Sequence, residues 1–204
     1  STGCVGHFIR ADLRNVAECR KVVQYCDRQF GRVDGLVNAA GLTNRGTLED
    51  TTEELWNLLF EVNARAPFFL MQEAVKVMKR EKIGGSIVNI LSISAHGGQP
   101  FITPYCGAKG ALAIITKNAA HSLRWDRIRV NGVNIGWTYT DNEQKVQEAE
   151  GKPQDWLAEA EKSRPFGRLL YPDDVAKLVV YLLSGDAEMM TGALIDFDQT
   201  VIGA

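Results

Sequence analysis

Short apolar, β-rich runs alternate with longer stretches of helical periodicity along most of the chain, and this alternation restricts the possible folds more than any other feature. The apolar runs lie at Val5–Ala11, Val33–Asn38, Ser86–Leu91, Ile128–Asn134 and Ala193–Phe197. Strands that are apolar on both faces and separated by helices belong in a parallel sheet covered on both sides. The stretches between them carry helix signals. Asn15 is placed to cap a helix whose apolar positions Val16, Cys19, Val23, Cys26 and Phe30 recur at helical spacing before Gly31. Thr51 and Glu54 have the spacing of a capping box. The helix they open, about 52–80, bears a stripe of Leu55, Leu58, Leu59, Val62, Phe69, Leu70 and Val77. Thr103 and Pro104 read as an N-cap and a first-turn proline for a helix reaching about Arg124. Pro172 starts another, with Val175, Leu178, Val179 and Leu182 on one side, whereas residues 141–163 are polar and weakly helical. The expectation is one α/β domain over 1–204, a doubly wound parallel sheet with helices on both faces.

Charge and composition narrow the function. Lys and Arg number 23 against 25 Asp and Glu, a net charge of −2, which supplies no basic field for nucleic acid or a membrane surface. No apolar run approaches the roughly 20 residues of a bilayer span. Cys4, Cys19, Cys26 and Cys106 show no C-x-x-C spacing, and His7, His96 and His121 stand far apart, so no metal site is expected. A soluble, cytoplasmic globular domain is the class that remains.

In open parallel sheets ligands bind beyond the carboxyl ends of the strands. Those ends carry Asp12, then Asn38-Ala39-Ala40-Gly41, then Ser92 and Ser94, then Gly136, Thr138 and Thr140. Four successive ends with small or hydrogen-bonding residues point to a cleft for a polar ligand that needs close backbone approach. After Ser92, Tyr105 and Lys109 fall four apart, on one face of the next helix. A phenol with a pKa of about 10 is a poor base, and a neighbouring ammonium favours its phenolate. Such a pair can pass a proton to or from an alcohol or carbonyl.

The segments N-A-A-G (38–41), V-N (62–63), S-I-V-N-I-L-S (86–92) and Y-C-G-A-K (105–109) resemble, in this order, the short-chain dehydrogenase/reductase family. Ser92 stands thirteen residues before Tyr105, as in many members, and R-V-N-G-V-N-I-G-W-T-Y-T (129–140) and M-T-G-A-L-I-D-F-D (190–198) are similar too. The resemblance implies a Rossmann-like fold and an oxidoreductase exchanging hydride between NAD or NADP and a secondary alcohol or carbonyl substrate, a sugar or polyol being one candidate. It implies Tyr105 as general acid/base, and Lys109 as the group that lowers its pKa and holds the nicotinamide ribose. Ser92 is implied to hydrogen-bond the substrate oxygen, and Asn63 to sit at a helix irregularity in a proton relay. Asn38, Ala39, Ala40 and Gly41 would pass beside the cofactor, Asp12 and Leu13 would meet its adenine end, and Gly136, Thr138 and Thr140 its nicotinamide amide and phosphates.

Departures from the family pattern set further expectations. Ile135 replaces the proline before Gly136, Leu91 the first serine of a pair, and Ala39 the second asparagine of N-N-A-G. Thr2-Gly3-Cys4-Val5-Gly6 is not the family's glycine-rich phosphate loop, being too close to Asn38. By the resemblance two strands, roughly 50 residues, are absent before Ser1. The 204 residues alone are then expected to bind dinucleotide poorly and to expose the run at Val5–Ala11 as a strand without a neighbour. A non-catalytic nucleotide-sensing or scaffold protein is the competing expectation. A homotetramer or homodimer is expected, joined through helices 52–80 and 103–124, which offer Phe60, Phe68, Ile114 and Ile115. Cys19 and Cys26 read as core, Cys106 as a packed side chain, His96 as a solvated loop residue, and Trp137, Tyr139 and 141–163 as a substrate wall and lid.

Overall fold

A computed structural model describes residues 5–201; Ser1–Cys4, with most of the Thr2–Gly6 cluster, and Ile202–Ala204 lie outside the described residues. Four parallel strands, β1 (Gly35–Asn38), β2 (Gly85–Ser92), β3 (Ile128–Ile135) and β4 (Leu194–Phe197), lie side by side in chain order. The helices are α1 (Val16–Phe30), α2 (Glu53–Phe60), α3 (Ala66–Glu81), α4 (Thr103–Leu123), α5 (Asp141–Ala149), α6 (Trp156–Lys162) and α7 (Pro172–Leu183). None among the described residues is long and apolar enough to cross a membrane.

Alternation along β2 divides the core in two. Ile87 and Leu91 pack with Ala74 and Met78 of α3, Leu112 of α4 and Cys19 of α1. Val88 and Ile90 face the other way, onto Val175 and Leu182 of α7. Strand order runs in one direction throughout, yet α7 covers the face opposite α3 and α4. The β3-to-β4 connection therefore has the opposite hand from the two before it, an exception to a strong preference. That connection is the longest, and its α6 builds a small core of its own with Trp137, Tyr139 and Leu169 around Trp156 and Ala160.

Local signals hold at α1, where Asn15 accepts the Ala17 N–H at 2.9 Å and Gly31 closes the helix at φ 71°. Elsewhere the structure corrects the sequence reading. Val5–Ala11 is not a strand. No described strand lies along the outer side of β1, so the segment finds no ladder; Val5 and Phe8 are exposed, and His7 leans edge-on against Tyr25 and Phe30 of α1. The cap of α2 is Thr52, which accepts the Leu55 N–H at 3.2 Å, because Thr51 is drawn into the preceding turn by donating to the Thr47 carbonyl. Thr103 is the first residue of α4 rather than its cap. Its N–H already meets the Gly46 carbonyl at 2.9 Å, and its hydroxyl donates to the Pro100 carbonyl.

The long helix expected over 52–80 is broken by a wide π turn at Glu61–Arg65. Pro67 has no N–H to give the carbonyl four residues back, that of Asn63, and the chain widens just ahead of it. The Ala66 N–H reaches the Glu61 carbonyl, five residues back. This irregularity is what turns Asn63 inward.

Candidate active site

The start of α4 lies beside the carboxyl end of β2, and one helical turn brings Tyr105 and Lys109 over it. Both are buried, at 7% and 4% exposure. Lys109 Nζ donates to the Ile90 carbonyl at 2.8 Å and lies 5.8 Å from the centre of the Tyr105 ring. Ser92, the last residue of β2, is buried within hydrogen-bonding reach of the phenol. Tyr105, Lys109 and Ser92 are thus brought together.

Burial governs the proton affinities here. It pushes the Tyr105 phenol up to about 12, with the neighbouring Ser92 hydroxyl acting in the other direction. It also pulls the Lys109 ammonium down from 10.5 to about 8. From spacing alone Lys109 is expected to draw the phenol down; in this structure desolvation is the largest effect on it and raises it instead, so the phenol rests protonated.

Asn63 joins the same cluster from the π turn. It is fully buried; its Nδ2 donates to the carbonyls of Leu42 and Leu59 at 3.0 and 2.9 Å, and its Oδ1 accepts the Leu42 N–H at 3.1 Å. The loop after β1 is thereby pinned to the helix. Gly41 sits so close that an added Cβ would fall 3.1 Å from Asn63 Oδ1 and 3.6 Å from Lys109 Nζ. Asn38 lies beneath, donating to Asn89 Oδ1 at 2.7 Å, and Asn89 donates in turn to Thr116 of α4 at 2.9 Å. This buried chain ties β1, β2 and α4 together. Asn89 is absent from the sequence reading, although a lone amide inside the apolar run S-I-V-N-I-L-S was a visible signal.

The remaining candidates lie around this cluster or away from it. Ala39, Ala40 and Gly41 are exposed, a bare stretch of backbone beside Lys109. Gly136 donates to the Phe197 carbonyl at 3.0 Å, and a side chain there would overlap the Asp198 carboxylate. Thr138 donates to the Gly136 carbonyl, and the Thr140 hydroxyl is spent on capping α5 through the Glu143 N–H. Asp12 and Leu13 are not brought to Tyr105 by any recorded contact. The Asp12 carboxylate pairs with Arg14 at 2.7 Å, and Leu13 packs against the core beside α1. Hydrogen bonding to Arg14 holds that carboxyl low, at about 2.

The segment after β3 packs against α5 and α6. Trp137 and Tyr139 stack on Trp156 at 6.0 and 6.2 Å, while Glu143 accepts from Trp137 Nε1 at 2.8 Å and Gln147 Nε2 at 2.7 Å. Arg45, from the loop after β1, reaches Glu150 at the end of α5 and stands over the Phe101 ring. His96 is solvated, as expected, and its Nε2 also lies 2.8 Å from Asp196 Oδ1, which Asn134 contacts too.

An ammonium has three donors. The Ile90 carbonyl takes one from Lys109, and the others find no protein acceptor among the described residues. Beside an open glycine backbone, this buried cation suits a ligand rich in hydroxyls, such as a nucleotide ribose.

Comparison with known proteins agrees with that geometry. Residues 1–199 match the family model described as Enoyl-(Acyl carrier protein) reductase. The chain is 31% identical to a galactitol 2-dehydrogenase of Agrobacterium fabrum over 203 residues, 96% of this chain and 78% of that protein. It is 34% identical to a probable galactose dehydrogenase of Rhizobium meliloti over 197 residues, 97% and 75% of the two chains. A short-chain type dehydrogenase/reductase from Mycobacterium marinum superposes with a TM-score of 0.84 at 27% identity, over 96% of this chain and 75% of that one. The motifs that converge on Tyr105 and Lys109 are thus embedded in a match running nearly end to end, and the chain belongs to the short-chain dehydrogenase/reductase family.

Proposed function

We propose that the protein oxidises a secondary alcohol, or reduces the matching carbonyl, of a sugar or polyol with NAD or NADP, using Tyr105, Lys109, Ser92 and Asn63. The observation that carries this reading is the buried Lys109 ammonium, with donors to spare, packed against a protonated phenol at the carboxyl end of the sheet. When bound, the nicotinamide supplies or accepts the hydride at the substrate carbon.

The chain's own residues handle the oxygen. In the reductive direction Tyr105 gives its proton to the substrate oxygen while Ser92 donates a hydrogen bond to it. In the oxidative direction the phenol must first release its proton, and the adjacent ammonium stabilises the phenolate. Lys109 offers its unused donors to ribose hydroxyls, and Asn63 keeps the Gly41–Leu42 loop in place beside it. Gly41 leaves backbone accessible to the cofactor, and Trp137 and Tyr139 face the substrate. The names of two relatives, a galactitol and a probable galactose dehydrogenase, support a polyhydroxylated substrate. A panel of hexitols, aldoses and simple secondary alcohols, followed by nicotinamide absorbance with NAD and with NADP, tests this. Turnover is expected with at least one polyol or sugar, and its absence across both cofactors and the whole panel overturns the reading.

The same reading includes assembly into a dimer or tetramer through α2, α3 and α4. Phe60 and Ile115 do not contribute as expected, since Phe60 is half-buried beneath Trp56 and Ile115 packs on the core. Trp56, Phe68 and Ile114 are the exposed apolar residues of these helices, at 45%, 43% and 60%. A two-fold contact would cover them. Sedimentation at micromolar concentration is expected to show the assembly, and Ile114→Glu to shift it toward monomer. A wild-type protein sedimenting only as monomer rules the assembly out.

A further inference from the structure

Ser92 is held by a hydroxyl chain that leads away from Tyr105. Its Oγ accepts the Ser94 N–H at 3.1 Å and donates to Ser94 Oγ at 3.0 Å, and Ser94 Oγ donates to Gln99 Oε1. Ser94 is 4% exposed, and the backbone around Gln99 is fastened. The Gln99 carbonyl accepts the Ile102 N–H at 3.2 Å and the Cys106 thiol at 3.8 Å, and the Gly97 N–H meets the Ser94 carbonyl at 3.0 Å. The Gln99 side chain is therefore presented to Ser94 from a fixed position.

Each hydroxyl has one proton, so the group at the end of the chain sets the direction of both. With the amide oxygen against Ser94, both protons run away from Tyr105. If Ser92 then turns its proton to a substrate oxygen, the buried Ser94 oxygen loses its donor, which carries a penalty. An amide has a donor end as well as an acceptor end. Turned over, Gln99 gives an N–H to Ser94, Ser94 gives its proton to Ser92, and Ser92 is free to donate forward with every group satisfied.

We infer that Gln99 and Ser94 are positioning residues that set which way Ser92 directs its proton, with the Gln99 amide acting as the reversible end of the chain. This rests on the reading of Ser92 as donor to the substrate oxygen. The titratable groups around the turn are His96 within it, Tyr105 and Cys106 of α4, and Asp196 of β4 paired with His96.

Gln99→Glu separates positioning from packing, because a carboxylate only accepts whereas a carboxylic acid can donate. With the holoenzyme and its best substrate, kcat is expected to fall about tenfold near neutral pH, the scale of one lost hydrogen bond. It should recover toward wild type as the pH is lowered through the titration of the introduced carboxyl, a limb absent from the wild-type profile. In a Ser94→Ala background that limb should vanish. Thermal melting of each variant checks the fold. Should Gln99→Glu not fold, Gln99→Leu, which can neither accept nor donate, is expected to lower kcat without any low-pH recovery. A pH profile for Gln99→Glu parallel to wild type, a limb that persists in Ser94→Ala, or a wild-type kcat for Gln99→Leu each overturns the inference. An active wild type with such profiles removes only the relay, whereas a wild type inactive across the panel removes the functional reading itself.

Discussion

Replacing Tyr105 with Phe is expected to lower turnover by about 10²-fold or more, the lower range for a lost general acid/base, while leaving cofactor affinity nearly unchanged. The ring packs with Leu59 and Ile102. Phenylalanine preserves that contact and removes only the hydroxyl. Lys109 keeps its bond to the Ile90 carbonyl and its free donors, so the proposed ribose contact survives. Steady-state kinetics and a cofactor titration by intrinsic fluorescence measure the two quantities separately. A variant retaining more than half the wild-type rate would take Tyr105 out of the chemistry. Loss of cofactor binding and rate together would make it a structural residue.

The second large effect concerns Lys109, where activity and stability are expected to move in opposite directions. Burial holds this ammonium at about 8 against 10.5 in an ordinary setting. Between those values the unfolded chain still carries the proton that the folded protein has released. The proton therefore favours the unfolded state, and wild-type stability gains a rising contribution as pH increases from about 8 to 10.5. Below that window the folded protein bears the full penalty of a buried charge. Lys109→Met removes the charge and keeps most of the volume. It is expected to remove a pH-dependent handicap on the order of 3 kcal/mol, offset in part by the bond lost to the Ile90 carbonyl. Denaturant unfolding at several pH values should show the variant gaining most near neutrality, with its advantage closing toward pH 10.5. Turnover should fall by about 10²-fold or more, since the phenolate loses its cation. A stability difference that does not change with pH would show that Lys109 is not held as a strained buried cation.

These two residues also show how far the sequence could be read. Their four-residue spacing sets them on one helix face wherever that helix packs, and the run from Ser86 to Ser92 places a hydroxyl just before them. The caps at Asn15 and Gly31 were equally legible, because a cap is settled by a few neighbouring residues. Thr51 and Thr103 were misplaced by one residue. Their hydroxyls were drawn to carbonyls at Thr47 and Pro100, and such local competition is not visible in spacing. The π turn had a signal in the sequence, the proline at position 67, which has no N–H for the Asn63 carbonyl.

The sequence by itself determined the class of fold, the order of its elements and the polar strand ends, since periodicity and capping act over one or two turns of chain. The tertiary structure decided what met across that chain. It put Gly41 against Asn63 and Lys109 and linked Asn38 to Thr116 through Asn89. It also reversed the expected direction of the Tyr105 shift. Spacing shows that an ammonium stands near a phenol, but how much water each has lost depends on every element packed around them, and here that desolvation is the larger effect.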